Sequence, residues 1–316
     1  MGEIKGRFAP SPTGHMHLGN IFAFLLAWLQ VRKEKGKMVL RIEDLDSSRS
    51  KKVFEEDLIN DLKWLGLDWD EGLDIVGDNC CASYRQDERR SLYEEVFNNL
   101  DTYPCYCTRA ELAASAQHGL AGEAPYTGTC RNKKGEIKVN KEPSYRLVVP
   151  AGVEVEFVDL LQGKVRQNLA AEVGDFVVKR ADGVHAYQLA VVIDDGLMGV
   201  SHVLRGADLL HYTARQIFLY RLLGFKEPIF THVPLLCDFD GHKLSKRQKD
   251  LSVLSLRENG VLPEAIIGYL GYISGLLPEF KEIKPRELLE CFSLSKVFKN
   301  NISININQIL YILSKR

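Results

Sequence analysis

The N-terminal part of the chain alternates short apolar segments with amphipathic ones, and this alternation limits the possible folds more than any other feature. Residues 3–8 predict a strand, and the apolar positions after Gly14 follow the helical period up to Gly36. Residues 38–46 (MVLRIEDLD) predict a buried strand that ends in carboxylates, and residues 51–67 predict an amphipathic helix. Strand, helix, strand and helix in this order is typical of an α/β protein with a doubly wound parallel sheet.

Two unusual segments fall at the same edge of the predicted sheet. The first is RFAPSPTGHMHLGN at residues 7–20, which places two prolines, two glycines and two histidines ahead of the most apolar helix. The second is the acidic end of the strand at residues 42–46. Because ligands of open α/β sheets bind beyond the carboxyl ends of the strands, the sequence predicts a binding crevice at this edge.

The composition is that of an ordinary globular protein, with 45% hydrophobic and 26% charged residues. A chain of 316 residues is long enough for two or three domains. The net charge of −1 limits any nucleic-acid-binding surface to a local patch. The chain has seven cysteines and no recognisable signal peptide, and the apolar run at residues 21–31 reaches only about half the length of a membrane span. We therefore expect a cytoplasmic protein without a membrane segment. We also expect a monomer.

The pattern changes after residue 104. Residues 105–136 contain cysteines, glycines and a basic run but no long apolar helix, and residues 145–168 contain alternating segments that predict antiparallel strands. Apolar runs resume at residues 175–195, so the economical interpretation is a domain inserted into a nucleotide-binding sheet. The predicted division is 1–104 for the first half of the nucleotide-binding domain, 105–184 for the inserted domain, 185–241 for the second half, and 242–316 for a loop and a C-terminal helical domain.

Two motifs far apart in the chain identify a family. HLGN (His17–Asn20) begins a helix after a Pro/Gly-rich loop, and KLSKR (Lys243–Arg247) lies in a polar segment. Together they resemble the HIGH and KMSKS signatures of class I aminoacyl-tRNA synthetases. A helix N-terminus with imidazole donors suits phosphate, and a lysine-rich loop suits the charge that develops during adenylate formation. The resemblance implies a Rossmann-type parallel sheet with an inserted zinc-bearing domain and a short C-terminal helical domain.

The resemblance extends to glutamyl-tRNA synthetases from about Gly6 to about residue 250. It is carried by RFAPSPTG, RIEDLD, CYC with YTGTC, DFVVKRADGVHAYQLAVVIDD, VLRGADLL and KLSK. Within that family the chain resembles the shorter paralogues that attach glutamate to queuosine in the anticodon of tRNA(Asp). Full-length members continue into a helical anticodon-binding region, whereas only residues 248–316 follow the KLSKR motif here. The expectation is a catalytic body without an anticodon-binding domain.

The resemblance also implies a glutamate site whose charges make chemical sense. Glutamate has two carboxylates and one ammonium group, so Arg7 and Arg205 would bind the carboxylates and Glu43 the ammonium. The sequence does not distinguish which arginine binds the side-chain carboxylate, and Glu43 taken alone would equally fit a salt-bridging or helix-capping acid. The implied glutamate-binding residues are Arg7, Phe8, Ala9, Pro10, Ser11, Glu43, Tyr187 and Arg205.

An ATP site follows from the same two motifs. His17 and Lys246 are the implied catalytic residues, and no protein nucleophile is required because position and charge stabilisation carry adenylate formation. Magnesium would accompany ATP. The implied ATP-binding residues are His17, Asn20, Lys243, Ser245 and Lys246.

The inserted segment contains a candidate metal site. Cys105, Cys107 and Cys130 offer three thiolates, which favour zinc, although ordinary cytosolic thiols remain the alternative. Residue chemistry alone favours His118 as the fourth ligand, because histidine is the common one. The resemblance implies Tyr126 instead, through the family pattern Cys-x-Cys followed by Tyr-x-x-x-Cys. One structural zinc ion per chain is expected.

The predicted function is activation of glutamate with ATP without tRNA, followed by transfer to queuosine in tRNA(Asp). Two alternatives stay open: a glutamyl-tRNA synthetase that charges a tRNA 3′ end, and a non-catalytic paralogue that binds nucleotide or RNA. The basic run at residues 131–141 fits either an RNA contact or a solvated loop. His15, His185 and His232 are interpreted as local structure rather than as catalysts.

Overall fold

The computed structural model alternates strands and helices along the chain. It describes residues 3–73, 75, 83–114, 125–131, 141–244, 251–305 and 309. The strands are β1 (Lys5–Phe8), β2 (Lys37–Leu40), β3 (Thr102–Cys105), β4 (Ser144–Leu147), β5 (Glu154–Asp159), β6 (Gly163–Asn168), β7 (Phe176–Lys179), β8 (His202–Gly206), β9 (Ile229–Val233), β10 (Leu236–Cys237) and β11 (Ile302–Ser303). The helices are α1 (Leu18–Lys33), α2 (Lys52–Trp64), α3 (Arg90–Asn98), α4 (Arg109–Ala114), α5 (Leu169–Glu172), α6 (Tyr187–Leu197), α7 (Thr213–Leu222), α8 (Val253–Glu258), α9 (Pro263–Ile273) and α10 (Pro285–Cys291).

Two pairs of parallel strands form the centre of the fold. β1 pairs with β2, and β8 pairs with β9. β1 and β8 lie side by side, and the Ser201 N–H donates to the Lys5 carbonyl oxygen (2.8 Å) where they meet. The predicted parallel α/β arrangement is therefore confirmed for the two halves on either side of the inserted segment.

The predicted strand at residues 38–46 is shorter than expected. The regular ladder of β2 ends at Leu40, because Pro10 on the neighbouring segment has no N–H to donate. The backbone nevertheless continues alongside β1, since the Arg41 N–H donates to Phe8 O and the Glu43 N–H donates to Pro10 O (both 2.9 Å). This pairing fixes the first acidic residue of the segment next to the Pro/Gly-rich loop.

Helix α1 is buried along most of its length. Residues of α1 pack against β1, β2 and β8 on one side and α10 on the other, which explains why its sequence is apolar on nearly all faces. The chain turns sharply after α1, and a Cβ at Gly36 would lie 2.5 Å from Ile4 O, so glycine allows the close approach of the two segments.

The segment between the two parallel pairs contains antiparallel strands, as the alternating sequence pattern predicts. β4 pairs with β3 on one side and β7 on the other, and β5 and β6 form a hairpin. Buried residues of β4, β5 and β7 share one hydrophobic cluster with α6 and α7. The inserted segment is therefore packed directly against the second half of the sheet.

The C-terminal helices α8 to α10 share the other hydrophobic cluster with α1 and α2. In the segment that follows α10, β11 pairs in parallel with β10, and the two strands form a small sheet of their own. The domain boundaries at 104, 184 and 241 stay predictions. Within the described part of the chain, no helix combines the length and apolar character that crossing a membrane requires.

Candidate active site

A cavity of about 390 Å³ opens beside the carboxyl ends of β1 and β8. This is the edge that the sequence predicts for the binding crevice, because the carboxyl ends of β1 and β8, one strand from each parallel pair, both lie there. The cavity lining includes the following residues of the predicted glutamate and ATP sites: Arg7, Ala9, Pro10, Ser11, His17, Asn20, Glu43, Tyr187, Arg205 and Lys243.

Some predicted residues lie elsewhere. The side chain of Phe8 is fully buried and packs against Phe24, with ring centroids 5.4 Å apart, so a role of Phe8 through its backbone stays a prediction. Ser245 and Lys246, predicted for the ATP site, and His118, the alternative metal ligand, lie outside the residues that the structure describes.

Arg7 is held from two sides at the inner wall of the cavity. Its Nη1 donates to Leu204 O (3.3 Å), and its Nε lies 3.4 Å from Asp195 Oδ2. The other oxygen of Asp195 accepts from Arg41 Nη1 (2.6 Å), so this carboxylate bridges two arginines. Burial acts to raise the pKa of Asp195, but the charges of Arg41 and Arg7 outweigh it and the pKa is lowered. Asp195 therefore carries a stable negative charge that orients Arg7.

Sequence reasoning missed Arg41 and Asp195, although both lie inside motifs that carry the family resemblance. Arg41 has no exposed surface, and its partners include Glu43 Oε1 at 3.1 Å. The sequence did contain a signal for these two residues, because MVLRI and AVVIDD each place charge directly beside an apolar run. A charged residue in such a position is expected to be buried, and fully buried charges are rare unless they are paired.

Glu43 lines the cavity, and the buried guanidinium groups that act on its carboxylate are those of Arg41 and Arg7. Burial raises the pKa of Glu43 and outweighs the opposing effects of Arg41 and Arg7. Its carboxylate is therefore incompletely compensated within the protein alone. A bound ammonium group would supply the missing positive charge.

Arg205 is positioned by side chains from two other elements. Its Nε donates to His232 Nε2 (3.0 Å), and its Nη2 donates to Thr213 Oγ1 (2.9 Å). The remaining nitrogen, Nη1, is buried and has no hydrogen-bond partner among the described residues. Since Arg205 lines the cavity and buried donors are rarely left unpaired, an anionic ligand is the natural partner of Nη1.

His17 caps α1 and borders the cavity. Its Nδ1 accepts from the Gly19 N–H (3.1 Å), while the side-chain oxygen of Asn20 accepts from the His17 N–H (3.2 Å), which forms a reciprocal capping box. An accepting Nδ1 requires the neutral ring to carry its proton on Nε2. The imidazole therefore reinforces the positive end of the helix with an N–H donor.

The residues that flank the lysine-rich segment (residues 245–250) lie close to the N-terminus of α1, where His17 is found. Before this segment, the Leu244 N–H donates to Leu236 O (2.8 Å), and after it the Val253 N–H donates to Met16 O (2.9 Å). Lys243 forms an ion pair with Asp208, which also lines the cavity. Residues of the HLGN motif and the first two residues of the KLSKR motif, Lys243 and Leu244, therefore line one cavity.

The three cysteines of the inserted segment form a compact cluster. Their sulfur atoms lie within 4.8 Å of one another, and Cys107 Sγ is 3.5 Å from Cys130 Sγ. The hydroxyl of Tyr126 is 3.5 Å from Cys105 Sγ and 3.8 Å from Cys107 Sγ. A tetrahedral zinc ion at about 2.3 Å from each thiolate separates two sulfurs by roughly 3.8 Å. The spacing of the four donors fits a zinc ion.

The surroundings of the cluster favour the thiolate at Cys105, whereas burial and the hydrogen bond with Cys130 raise the pKa of Cys107 to about 11. They also hold Tyr126 in place. Burial acts to raise the pKa of Cys105, but hydrogen bonds from Tyr126 and Arg146 outweigh it and lower the pKa to about 7. The Tyr126 backbone approaches Gly174 so closely that a Cβ there would lie 2.4 Å from Tyr126 O, and Gly174 has a φ of +67°. Glycine at position 174 is therefore required for the placement of Tyr126.

The parallel sheet, the histidine-capped helix and the adjacent lysine-rich segment define a nucleotide-binding enzyme of the class I synthetase type. A family model described as tRNA synthetases class I (E and Q), catalytic domain, matches residues 3–311, and the chain belongs to this family. The resemblance indicated by the HLGN and KLSKR motifs is thereby confirmed.

Two relatives differ in how much of their own length the match to this chain covers. The chain is 48% identical over 313 residues to a protein of Symbiobacterium thermophilum named glutamyl-Q tRNA(Asp) synthetase, which covers 95% of this chain and 96% of that protein. It is 41% identical over 325 residues to glutamate–tRNA ligase 1 of Caldicellulosiruptor saccharolyticus, which covers 99% of this chain and 66% of the ligase.

A solved structure supports the same fold. The glutamate tRNA ligase from Elizabethkingia meningosepticum, determined in complex with its amino acid, matches with a TM-score of 0.82 and 27% identity. The match covers 98% of this chain and 69% of that ligase. The class I synthetase fold is therefore established, whereas a zinc-bearing domain and a separate C-terminal helical domain stay predictions.

Proposed function

We propose that this protein activates glutamate with ATP and transfers it to the cyclopentene diol of queuosine in the anticodon of tRNA(Asp). The observation that carries the proposal is the 48% identity, over 95% of the chain, to a relative named glutamyl-Q tRNA(Asp) synthetase. The charges around the cavity support it, because Arg7 and Arg205 can bind two carboxylates and Glu43 can bind one ammonium group.

The first step is adenylate formation. An oxygen of the glutamate α-carboxylate attacks the α-phosphorus of ATP, and the bond to the bridging oxygen of the β-phosphate breaks, which releases pyrophosphate. The protein contributes position and positive charge to this step rather than a nucleophile. His17 would donate to a phosphate oxygen at the N-terminus of α1, and Lys246 would add a cation from the lysine-rich segment. Magnesium bound with ATP would offset the remaining triphosphate charge.

The second step is transfer to the RNA. One hydroxyl of the queuosine cis-diol attacks the carbonyl carbon of glutamyl-adenylate, loses its proton, and displaces AMP. The two adjacent hydroxyls of this diol have the same relation as those of a terminal ribose, so the chemistry of an ordinary synthetase serves either acceptor.

The acceptor is tested with labelled glutamate, ATP and tRNA prepared from cells that can and cannot make queuosine. We expect label only in the queuosine-containing tRNA, and nuclease digestion should locate it in the anticodon fragment. Both preparations must be compared at one salt concentration, since phosphate contacts are strongly salt-dependent. Equal labelling of both preparations would contradict the proposed acceptor.

Activation is tested separately by pyrophosphate exchange without tRNA. Exchange should depend on glutamate and be poor with glutamine, because the uncharged amide leaves one buried arginine without its carboxylate, a loss of about 2–5 kcal/mol. A requirement for tRNA, or equal exchange with glutamine, would contradict this part of the proposal while leaving the acceptor open.

The second candidate function is charging of a tRNA 3′ end with glutamate. The 41% identity to a glutamate–tRNA ligase favours it, and the same cavity would serve. The digestion experiment separates the two functions, because the label would then be found at the 3′-terminal adenosine and would not depend on queuosine.

We also propose that Cys105, Cys107, Cys130 and Tyr126 hold one structural zinc ion. The support is the spacing of the three sulfur atoms and the phenol oxygen. Four protein ligands leave no open position, so the ion would stabilise the inserted segment rather than take part in the reaction.

Metal analysis of the purified protein should find about one zinc ion per chain. Cys105→Ser should lose the metal and lower the free energy of unfolding. Tyr126→Phe should reduce zinc affinity, while His118→Ala should leave it unchanged. Full zinc retention in Tyr126→Phe combined with loss in His118→Ala would overturn the choice of the fourth ligand.

A further inference from the structure

We propose that Asp159 and His232 are positioning residues that hold Arg205 in its ligand-binding orientation, and that Asp159 does so by fixing the tautomer of His232. The inference rests on the proposed function, because it assigns Arg205 to a carboxylate of the amino-acid substrate. The three side chains form one continuous chain of hydrogen bonds. Asp159 Oδ2 lies 2.6 Å from His232 Nδ1, and His232 Nε2 accepts from Arg205 Nε at 3.0 Å.

Both supporting residues are almost completely removed from solvent. His232 has no exposed surface, and Asp159 is 1% exposed. The second oxygen of Asp159, Oδ1, accepts from the N–H groups of Leu161 (3.0 Å), Gln162 (2.8 Å) and His232 (3.2 Å). The carboxylate is therefore held rigidly, and its Oδ2 is left facing the imidazole.

The protons can be assigned along this chain. A carboxylate only accepts, so the proton of the neutral imidazole resides on Nδ1 and the lone pair is on Nε2. Burial lowers the pKa of His232 to about 4 and outweighs the hydrogen bond that His232 donates to Asp159. The ring therefore stays neutral, and its Nε2 is an acceptor for Arg205 at every pH at which the protein is ordinarily studied.

The opposite tautomer would disrupt the site. A proton on Nε2 would face the N–H of Arg205 Nε, and two donors cannot share one hydrogen bond. Thr213 Oγ1, which lies 3.1 Å from Nε2, could accept that proton, but the Arg205 N–H would still lose its acceptor. Arg205 would then turn away from His232 and carry its unpartnered Nη1 with it. Correct presentation of Nη1 to the cavity thus depends on a carboxylate that does not line the cavity.

The arrangement also connects two parts of the sequence. Asp159 ends β5 in the inserted segment, His232 lies in β9, and Arg205 lies in β8. The inserted segment therefore contributes to the amino-acid site indirectly, without placing Asp159 in contact with a ligand.

The test uses Asp159→Asn, which preserves shape but can donate from its amide to Nδ1 and so favours the wrong tautomer of His232. We expect the KM for glutamate in pyrophosphate exchange to rise about 10- to 100-fold, with the KM for ATP and kcat changed by less than about threefold. The matched control is Asp175→Asn in the same inserted segment. Asp175 is also buried and accepts from the Val149 N–H (2.7 Å) and the Tyr103 hydroxyl (2.6 Å), so it should lose similar stability without the change in KM.

A rescue variant separates orientation from general damage. His232→Gln retains an amide oxygen that can accept from Arg205 whatever the residue at position 159. The double variant Asp159→Asn with His232→Gln should therefore have a lower KM for glutamate than Asp159→Asn alone. A KM that is higher still, or an equal rise in Asp175→Asn, would show that the pair has only a structural role.

Nitrogen-15 NMR gives a readout that needs no substrate. The wild-type spectrum should show His232 protonated at Nδ1 and the Arg205 Nε–H resonance in a hydrogen bond, and both signals should shift in Asp159→Asn. Protonation at Nε2 in the wild type would overturn the inference even if the proposed function holds. Absence of glutamate-dependent exchange in the wild type would instead contradict the proposed function, and with it the link between Arg205 and glutamate.

Discussion

Arg41 and Glu43 are charged neighbours in the site, but they have different roles. Arg41 has no exposed surface, and its guanidinium is surrounded by the carboxylates of Glu43, Asp194 and Asp195 at 3.1, 3.7 and 2.6 Å. Removing the Arg41 guanidinium would leave buried carboxylates uncompensated and would cost about 3–5 kcal/mol. We therefore assign Arg41 to support of the site, whereas Glu43 reaches the cavity.

The variant Glu43→Gln separates stability from binding. Burial raises the folded-state pKa of Glu43, so the ionised carboxylate destabilises the ligand-free protein once the pH exceeds that pKa. At pH 8 the free energy of unfolding of the variant should equal or exceed that of the wild type, and this advantage should vanish at about pH 4. Glutamate binding should weaken by about 2–5 kcal/mol, because the ammonium group loses its anion.

Urea unfolding at the two pH values and isothermal titration with glutamate provide the measurements. A variant that is markedly less stable than the wild type at pH 8 would show that Glu43 is mainly a structural partner of Arg41.

At the residue scale, the sequence was sufficient to predict which side chains of recognisable motifs line the cavity. Arg7, Glu43 and Arg205 line the cavity as predicted, although their binding roles stay predictions. The contacts of the supporting residues could not be predicted. A charge beside an apolar run marks Asp195 as unusual, but Asp195 and His232 reach the arginines only through the packing of distant strands and helices. His232 fits the expected role in local structure, but its contact with Arg205 has no signature in the sequence.

At the scale of elements, α2 carries a buried acid on the face that packs against α8. Asp61 is 1% exposed, and its nearest cation is Arg257, whose Nη1 lies 3.9 Å from Asp61 Oδ1. Burial raises the pKa of Asp61 to about 7, and Arg257 opposes this only in part. The carboxyl group is therefore protonated in the folded protein at a pH where it is ionised in the unfolded chain.

This shift predicts a pH dependence of stability. Between about pH 4 and pH 7 the folded state binds a proton that the unfolded state has lost, so the contribution of Asp61 to stability falls as the pH rises. The stability of Asp61→Asn relative to the wild type should therefore increase as the pH is raised from 5 to 8. The expected increase is a few kcal/mol, because one unit of pKa shift corresponds to about 1.4 kcal/mol. Urea unfolding at both pH values measures this, and a difference that does not change with pH would contradict it.

Most elements could be predicted because their periodicities are strong. The helical period of α2 and the alternation in β5 and β6 are readable from the sequence. Helix α1 is apolar on nearly all faces and is recognised instead by the length of its apolar run before Gly36. The early end of the ladder of β2 was not predicted, since it depends on a missing N–H at Pro10, a residue that is close in space rather than in sequence. Placement of Tyr126 beside the thiols likewise depends on the backbone of Gly174.

At the scale of the whole molecule, the C-terminal helices are not independent of the N-terminal half. Residues of α9 belong to the same hydrophobic cluster as α1, and a Cβ on Gly268 would lie 1.8 Å from Lys281 O. Because that contact is with backbone, neighbouring side chains cannot relieve it by changing rotamer. A local defect in α9 should therefore reduce the stability of the entire shared core.

We expect Gly268→Ala to lower the free energy of unfolding by about 1–3 kcal/mol or more. Tryptophan fluorescence, which reports the N-terminal half through Trp28, Trp64 and Trp69, should show the same urea midpoint as circular dichroism, which reports all helices. The control is Gly271→Ala in the same helix, where the nearest atom is the flexible Leu288 Cδ1 at 3.1 Å and the change should be small. Two separate transitions in Gly268→Ala would contradict a shared core.

The pairing of β11 with β10 has a mechanical consequence. The Ile302 N–H donates to Leu235 O (2.9 Å), and the Ile304 N–H donates to Cys237 O (2.8 Å). Leu235 and Leu236 form part of the cavity wall, and Leu236 in turn anchors the start of the lysine-rich segment. Tension applied to the chain beyond Ile304 would thus load the wall of the cavity directly, before it could unravel α8, α9 or α10.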